Sequence, residues 1–262
     1  MLRRGGIILC KKVRRFPDAL RSASLDEVQF SALQAFGLAL SVRGRAKSGR
    51  KGIVARSVIL ADMRLPAGDS ELVQIVDAAL ADAARRAGPW LVCRLGCTQC
   101  CYGAFAIGPL DILRLGAGMD ALRGSEPDLA AEVERRARAW IAEHGMEFPG
   151  DAETGRLGDS EADRERFEEF ADEAACPALD PATGRCDVYA WRPMTCRVFG
   201  PPVRMEAGDG GAALGHCELC FVGAKESEVA ACEMELPHEL EARLQDEIGV
   251  EGETVVAFAL LR

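Results

Sequence analysis

Cys93-Arg-Leu-Gly-Cys97-Thr-Gln-Cys100-Cys101 places four thiols in nine residues, and no other stretch restricts the architecture of the chain so tightly. Thiolates two to four residues apart let one short loop wrap a soft metal ion or an iron–sulfur cluster. Six more cysteines follow at Cys176, Cys186, Cys196, Cys217, Cys220 and Cys232, so ten of the eleven lie between positions 93 and 232. A disulfide framework is the competing reading, but such frameworks belong to short secreted chains that cannot build a core. This chain has 262 residues and 48% hydrophobic composition, enough for a core of its own. The run Ile7-Ile8-Leu9-Cys10 is too short for a signal-peptide core, and an odd cysteine count leaves one thiol unpaired. Metal ligation by reduced thiols in a cytoplasmic protein is the expectation.

Charge divides the chain in two. Residues 1–62 hold 13 Lys/Arg and 4 Asp/Glu, a net +9, whereas residues 63–262 hold 19 and 37, a net −18. Such a shift marks a boundary near Met63. The basic segment, residues 1–62, reads as a disordered or mis-assigned N-terminal extension, with one amphipathic stretch at Leu25–Leu40; residues 63–262 read as the cysteine-cluster domain. An acidic domain lacks the basic surface that phosphate binding needs, so no nucleic-acid partner is expected for it. No run of about 18 uncharged apolar residues occurs, so no membrane span is expected.

Outward from the cysteine loop, helical periodicity predominates. A helix is expected from Ser70 to Ala87, with Leu72, Ile75, Val76, Ala79, Leu80 and Ala83 on its apolar face and Gly88-Pro89 ending it. Gly108-Pro109 opens a short helix over Leu110–Leu115. Ser125 and Pro127 start another that runs to Glu143, and Asp159 or Ser160 caps a fourth to Ala175, anchored by Phe167 and Phe170. Residues 145–159 read as a loop. After Cys176 the texture changes to short strands around turns: 176–179 with 185–188 across Asp180-Pro-Ala-Thr-Gly184, then 203–206 with 212–214. Helices resume at 226–234 and 238–248, and the chain ends on the apolar run 255–261. The fold class is therefore α+β, mainly helical, with a turn-rich cysteine region of short strands organised by metal.

Three downstream segments join the loop: Cys176-Pro-Ala-Leu179, Gly184-Arg-Cys186-Asp-Val-Tyr189 and Arg192-Pro193-Met-Thr-Cys196-Arg197. With the CxxCC-type opening and the later pair Cys217-Glu-Leu-Cys220, they resemble the zinc- or iron-chelating cysteine-cluster (CxxCxxCC) family of bacteria, a distant relative of which is flagellin lysine N-methylase. The likeness covers about Leu91–Phe221. It departs from the family pattern in one place, three residues rather than two between Cys93 and Cys97. The resemblance implies Cys97, Cys100, Cys101, Cys176, Cys186 and Cys196 as metal ligands, with Cys93, Cys217 and Cys220 as additions. It implies zinc, iron or a [4Fe–4S] cluster as cofactor, in a mainly structural, sensing or handling role. A second resemblance is thinner. Cys93-x3-Cys97-x2-Cys100 is similar to the cluster loop of radical S-adenosylmethionine enzymes, but Gln99 stands where those have an aromatic residue, and no strand–helix repeats follow.

Some neighbours have expected roles. Arg192 and Arg197 are placed to offset thiolate charge or to pair with the acidic helix of residues 160–175. Tyr189 and Trp191 are expected to cover the site from water, and Asp111 to brace its short helix. His216 reads as support beside Cys217, and Cys10 and Cys232 as isolated thiols. There is no Gly-rich phosphate loop and no credible Ser/His/Asp set among three histidines, so catalysis is not the expectation. The alternative is a metal-dependent enzyme, a protein lysine N-methyltransferase-like or radical S-adenosylmethionine-like protein. The expected partners are a metal ion and a protein partner.

Overall fold

The computed structural model describes residues 63–206 and 212–262; the amphipathic stretch at 25–40 and Cys10 lie outside them. Helices α1 (Asp69–Ala87), α2 (Pro109–Ser125) and α3 (Pro127–His144) lead, and α4 (Glu161–Glu169) follows a small hairpin of β1 (Gly150–Asp151) and β2 (Arg156–Leu157). Next come β3 (Leu179–Asp180), β4 (Arg185–Cys186), α5 (Met194–Val198), β5 (Val203–Glu206), β6 (Ala212–Gly215), α6 (Glu226–Ala230), α7 (His238–Ile248) and α8 (Val256–Ala259). Among the described residues the strands pair as three antiparallel two-stranded sheets. The class is α+β and mainly helical, as the periodicity predicts.

Helix α2 is the central element. Its apolar residues are buried almost all round the helix: Ile112, Leu115, Met119 and Leu122 meet Val133, Ala137, Val188 and Leu260 on one side. Leu110 and Leu113 meet Leu72, Val76, Met194, Leu244 and Ile248 on the other. Only its last turns, with Asp120, Arg123 and Ser125, are exposed, and a helix apolar around most of its surface belongs inside a protein. A third cluster joins Trp140, Phe148, Phe170 and Phe258, and a fourth gathers Ala87, Cys217, Cys220, Phe221 and Cys232. The terminal apolar run is drawn in by a bridge in which Ile107 N donates to Thr254 O at 2.8 Å and Thr254 N returns to Ile107 O at 3.1 Å.

Several boundaries differ from expectation. Helix α1 begins at Asp69, and Ser70 sits inside it without capping. Ile75, expected inward, is 40% exposed. Helix α2 runs ten residues beyond the expected end at Leu115. The glycines that suggest a stop serve packing instead: a Cβ on Gly118 would lie 2.6 Å from the Trp191 side chain. Gly118→Ala is therefore expected to cost about 1–3 kcal/mol through overpacking and to shift Trp191 fluorescence, both read from one thermal melt. Ser160 does cap α4, accepting from Asp163 N at 3.1 Å, but the helix ends at Glu169 rather than 175. The chain turns there through Ala171, which holds a positive φ of 51°. Residues 145–159, expected as a loop, contain the hairpin β1–β2, whose two-residue strands are too short to show periodicity.

One buried charge cluster ties the first helices together. Arg114 on α2 is 1% exposed and forks between Asp69 on α1 and Asp111 one turn before it. Glu241 on α7 faces the same cluster. Burial first, then the Asp111 charge, pushes its carboxyl up to about 7, against the pull of Arg114. A carboxyl raised in the folded state holds its proton while the unfolded chain has lost it. Stability should therefore fall as pH rises from about 4.5 to 7, by about 1–3 kcal/mol for a partly buried group. Glu241→Gln should flatten that slope in urea titrations at successive pH values.

Candidate metal centre

The cysteine loop is seated by backbone bonds rather than by its own side chains. Cys100 and Cys101 lie on a 3-10 turn, Gln99–Cys101. From there Cys176 N donates to Cys101 O at 2.7 Å and Gly103 N to Ala174 O at 3.0 Å. These bonds join segments more than seventy residues apart and bring Cys176 beside the vicinal pair. The turn at 180–184 forms as its composition predicts: Ala182 N donates to Asp180 Oδ1 at 2.9 Å, and Gly184 takes a positive φ of 67°. Leu179 pairs with Cys186 across that turn. A Cβ on Gly184 would come within 3.4 Å of Thr98, so the turn lies against the cysteine loop.

Two side chains lock the downstream segments onto the helices. Arg136 of α3 donates to Pro177 O at 2.8 Å and to Asp187, fixing the chain on both sides of the hairpin β3–β4. Asp111 accepts from Met194 N at 2.9 Å. Its expected bracing thus reaches beyond its own helix to the first residue of α5, the short helix that carries Cys196.

Five sulfurs result from this construction: Cys100, Cys101, Cys176, Cys186 and Cys196. Their proton affinities respond to one another. A hydrogen bond from Cys101 holds the Cys100 thiol down to about 7, and the same bond, with burial, pushes Cys101 up. Burial, ahead of repulsion from neighbouring sulfurs, raises Cys176 to about 12 and Cys186 to about 11, and places Cys196 well above an ordinary thiol. A poorly hydrated pocket cannot hold several thiolates unless positive charge enters with them. Arg192 supplies some, easing ionisation at Cys100 and Cys186.

Cys93, Cys217 and Cys220 form a second, separate group. Cys93 Sγ and Cys220 Sγ are 3.8 Å apart, and Cys217 hydrogen-bonds to Cys220. Cys97 shows no sulfur contact with either group among the described residues. Of the nine candidate ligands, five bear on one another's ionisation, three make sulfur contacts with one another, and Cys97 joins neither set. Cys232, expected as an isolated thiol, is buried in the cluster with Cys217 and Cys220. His216 Nδ1 lies 3.0 Å from Cys217 O, and its ring sits against Phe221.

The two arginines do not reach the acidic helix. Arg197, 2% exposed, bonds Asp77 of α1 at 2.9 Å and Ala190 O, while Arg192 lies 3.7 Å from Asp77. The reason is connectivity: α5 packs on α1, so Asp77 is the carboxylate at hand. Tyr189 is 61% exposed, and its ring lies under the Arg192 guanidinium, 3.8 Å from ring centre to carbon. Trp191 packs on Gly118. The Asp69–Arg114–Asp111 cluster is not foreseeable from the sequence, because no local spacing links Asp69 to α2.

Residues 92–218 match the family described as "CxxCxxCC: Putative zinc- or iron-chelating domain". No curated protein and no solved structure gives a significant match, so the kinship with flagellin lysine N-methylase is not shown. The donor set of the five-sulfur group fits such an ion chemically, since reduced thiols favour zinc, iron and iron–sulfur clusters and all the described cysteines are free. Among the described residues no three or more His, Cys, Asp or Glu side chains stand close enough together to hold a metal ion. No helix among them is long and apolar enough to cross a membrane.

Proposed function

We infer that Cys100, Cys101, Cys176, Cys186 and Cys196 hold zinc or iron, and that the ion serves mainly to fasten the turn-rich segment 176–198 onto the helical part. The observation that carries this reading is the backbone bond from Cys176 N to Cys101 O, which joins the vicinal pair to the first of three half-buried downstream cysteines, whose thiols bear on the ionisation of Cys100 and Cys101. A divalent ion there would supply the charge that the crowded thiolates lack. Four of the five sulfurs suffice for tetrahedral zinc or for one iron–sulfur cluster; Arg192 would offset the negative charge that four thiolates leave on a divalent ion.

Elemental analysis and thiol titration of anaerobically purified protein test this. At least one equivalent of zinc or iron is expected, with the thiols of the five-sulfur group slow to react. Metal-free protein with every thiol titratable would overturn it. Colour then separates the ions, because an iron–sulfur cluster absorbs broadly in the visible and zinc does not.

A further inference from the structure

We propose that Cys93 and Cys220 form a second, redox-active thiol site, a dithiol that small disulfides oxidise to one intramolecular disulfide. The proposal is independent of metal binding at the five-sulfur group. Its basis is geometric. Cys93 is exposed and Cys220 is 1% exposed, yet their sulfurs are 3.8 Å apart across 127 residues of chain.

Main-chain bonds hold that approach. Phe221 N donates to Trp90 O at 2.8 Å, and Cys217 N to Gly200 O at 3.2 Å, so the segments bearing both thiols are pinned side by side. Gly200 leaves the room: its φ is +128°, and a Cβ there would come to 3.0 Å from Cys93 Sγ. A structural zinc needs a fourth ligand beside the trio, and the histidine at hand, His216, has its Nδ1 on Cys217 O and its ring against Phe221. Cys232 packs in the same cluster but shows no sulfur contact among the described residues. One accessible thiol touching one buried thiol is instead the arrangement that disulfide exchange uses.

The exchange balances as follows. The Cys93 thiolate attacks one sulfur of a small disulfide RSSR; that S–S bond breaks, a mixed disulfide forms on Cys93 and one thiolate RS⁻ leaves. Cys220, its proton lost to solvent, attacks Cys93 Sγ; the Cys93–Cys220 bond forms and the second RS⁻ leaves. Two protein thiols are oxidised, and RSSR is reduced to two RSH carrying the two protons.

The test is peptide mapping of the full-length chain after equilibration in glutathione/glutathione disulfide buffers and quenching with an alkylating agent. A peptide pair linked through Cys93 and Cys220, reversed by dithiothreitol, is expected. Cys93→Ser should abolish the link, Cys220→Ser should trap glutathione on Cys93, and Cys217→Ser should leave the link in place. Cys93 is exposed, so its replacement should not affect folding or the metal content of the five-sulfur group. Absence of the link at every ratio, or a Cys217–Cys220 link in its stead, overturns the proposal. So does metal that shields Cys93 and Cys220 from alkylation and is lost from Cys93→Ser.

Discussion

Cys100→Ser is expected to lower bound metal several-fold and to open the segment 176–198 to protease, although the substitution lies some eighty residues upstream. The reasoning runs from the backbone outward. Strands β3 and β4 have two residues each and α5 has five, lengths that do not persist alone. What holds them is Arg136, the Asp111–Met194 bond and, on our reading, the ion shared with Cys100 and Cys101. Structural zinc contributes about 10–16 kcal/mol to the folding of small zinc domains, so loss of one of four ligands is a large perturbation even where other contacts remain. Limited proteolysis and metal analysis of Cys100→Ser beside Cys93→Ser and Cys10→Ser check it. The latter two should match the unsubstituted chain in both respects. Equal protection of 176–198 in all three would mean that Cys100 shares nothing with that segment.

Arg114→Met should be the most damaging change away from the cysteines, costing about 3–5 kcal/mol. The guanidinium satisfies Asp69 and Asp111 at once, and Glu241 faces the same cluster. Without it two carboxylates remain in a space that burial has closed to water, and α1 and the start of α5 lose their common anchor. The deficit should have a pH signature. In the variant these carboxyls are raised in the folded state, so the lost stability returns as pH falls towards about 4, where protonation removes the charge. Urea denaturation of both proteins at neutral and acidic pH measures this. A pH-independent loss would indicate damage by cavity rather than by unpaired charge.

Much of this protein is legible in one dimension. The cysteine spacing and the likeness carried by segments 176–179, 184–189 and 192–197 point to a metal-binding domain without any geometry. Helical periodicity places α1, α3 and α7 closely, because each has one apolar stripe that a 3.6-residue repeat reveals. Asp180-Pro-Ala-Thr-Gly184 announces its turn because turn chemistry is local. Helix α2 reads as too short because Gly116 and Gly118 look like breaks, when Gly118 is there to admit Trp191 from a distant segment.

What only the tertiary structure decided is how the sulfurs are shared out. Nothing in the spacing of Cys93, Cys97, Cys100 and Cys101 says that the last two face Cys176, Cys186 and Cys196 while the first faces Cys220. That division depends on where the chain returns, through the bonds of Cys176 N to Cys101 O and Phe221 N to Trp90 O. The same holds for Arg197 choosing Asp77 over the acidic helix, and for Arg114 joining Asp69 to Asp111. Sequence specifies which groups can react because that is a property of each side chain and its near neighbours. Which groups meet is set by packing between remote segments, and only the folded chain brings those together.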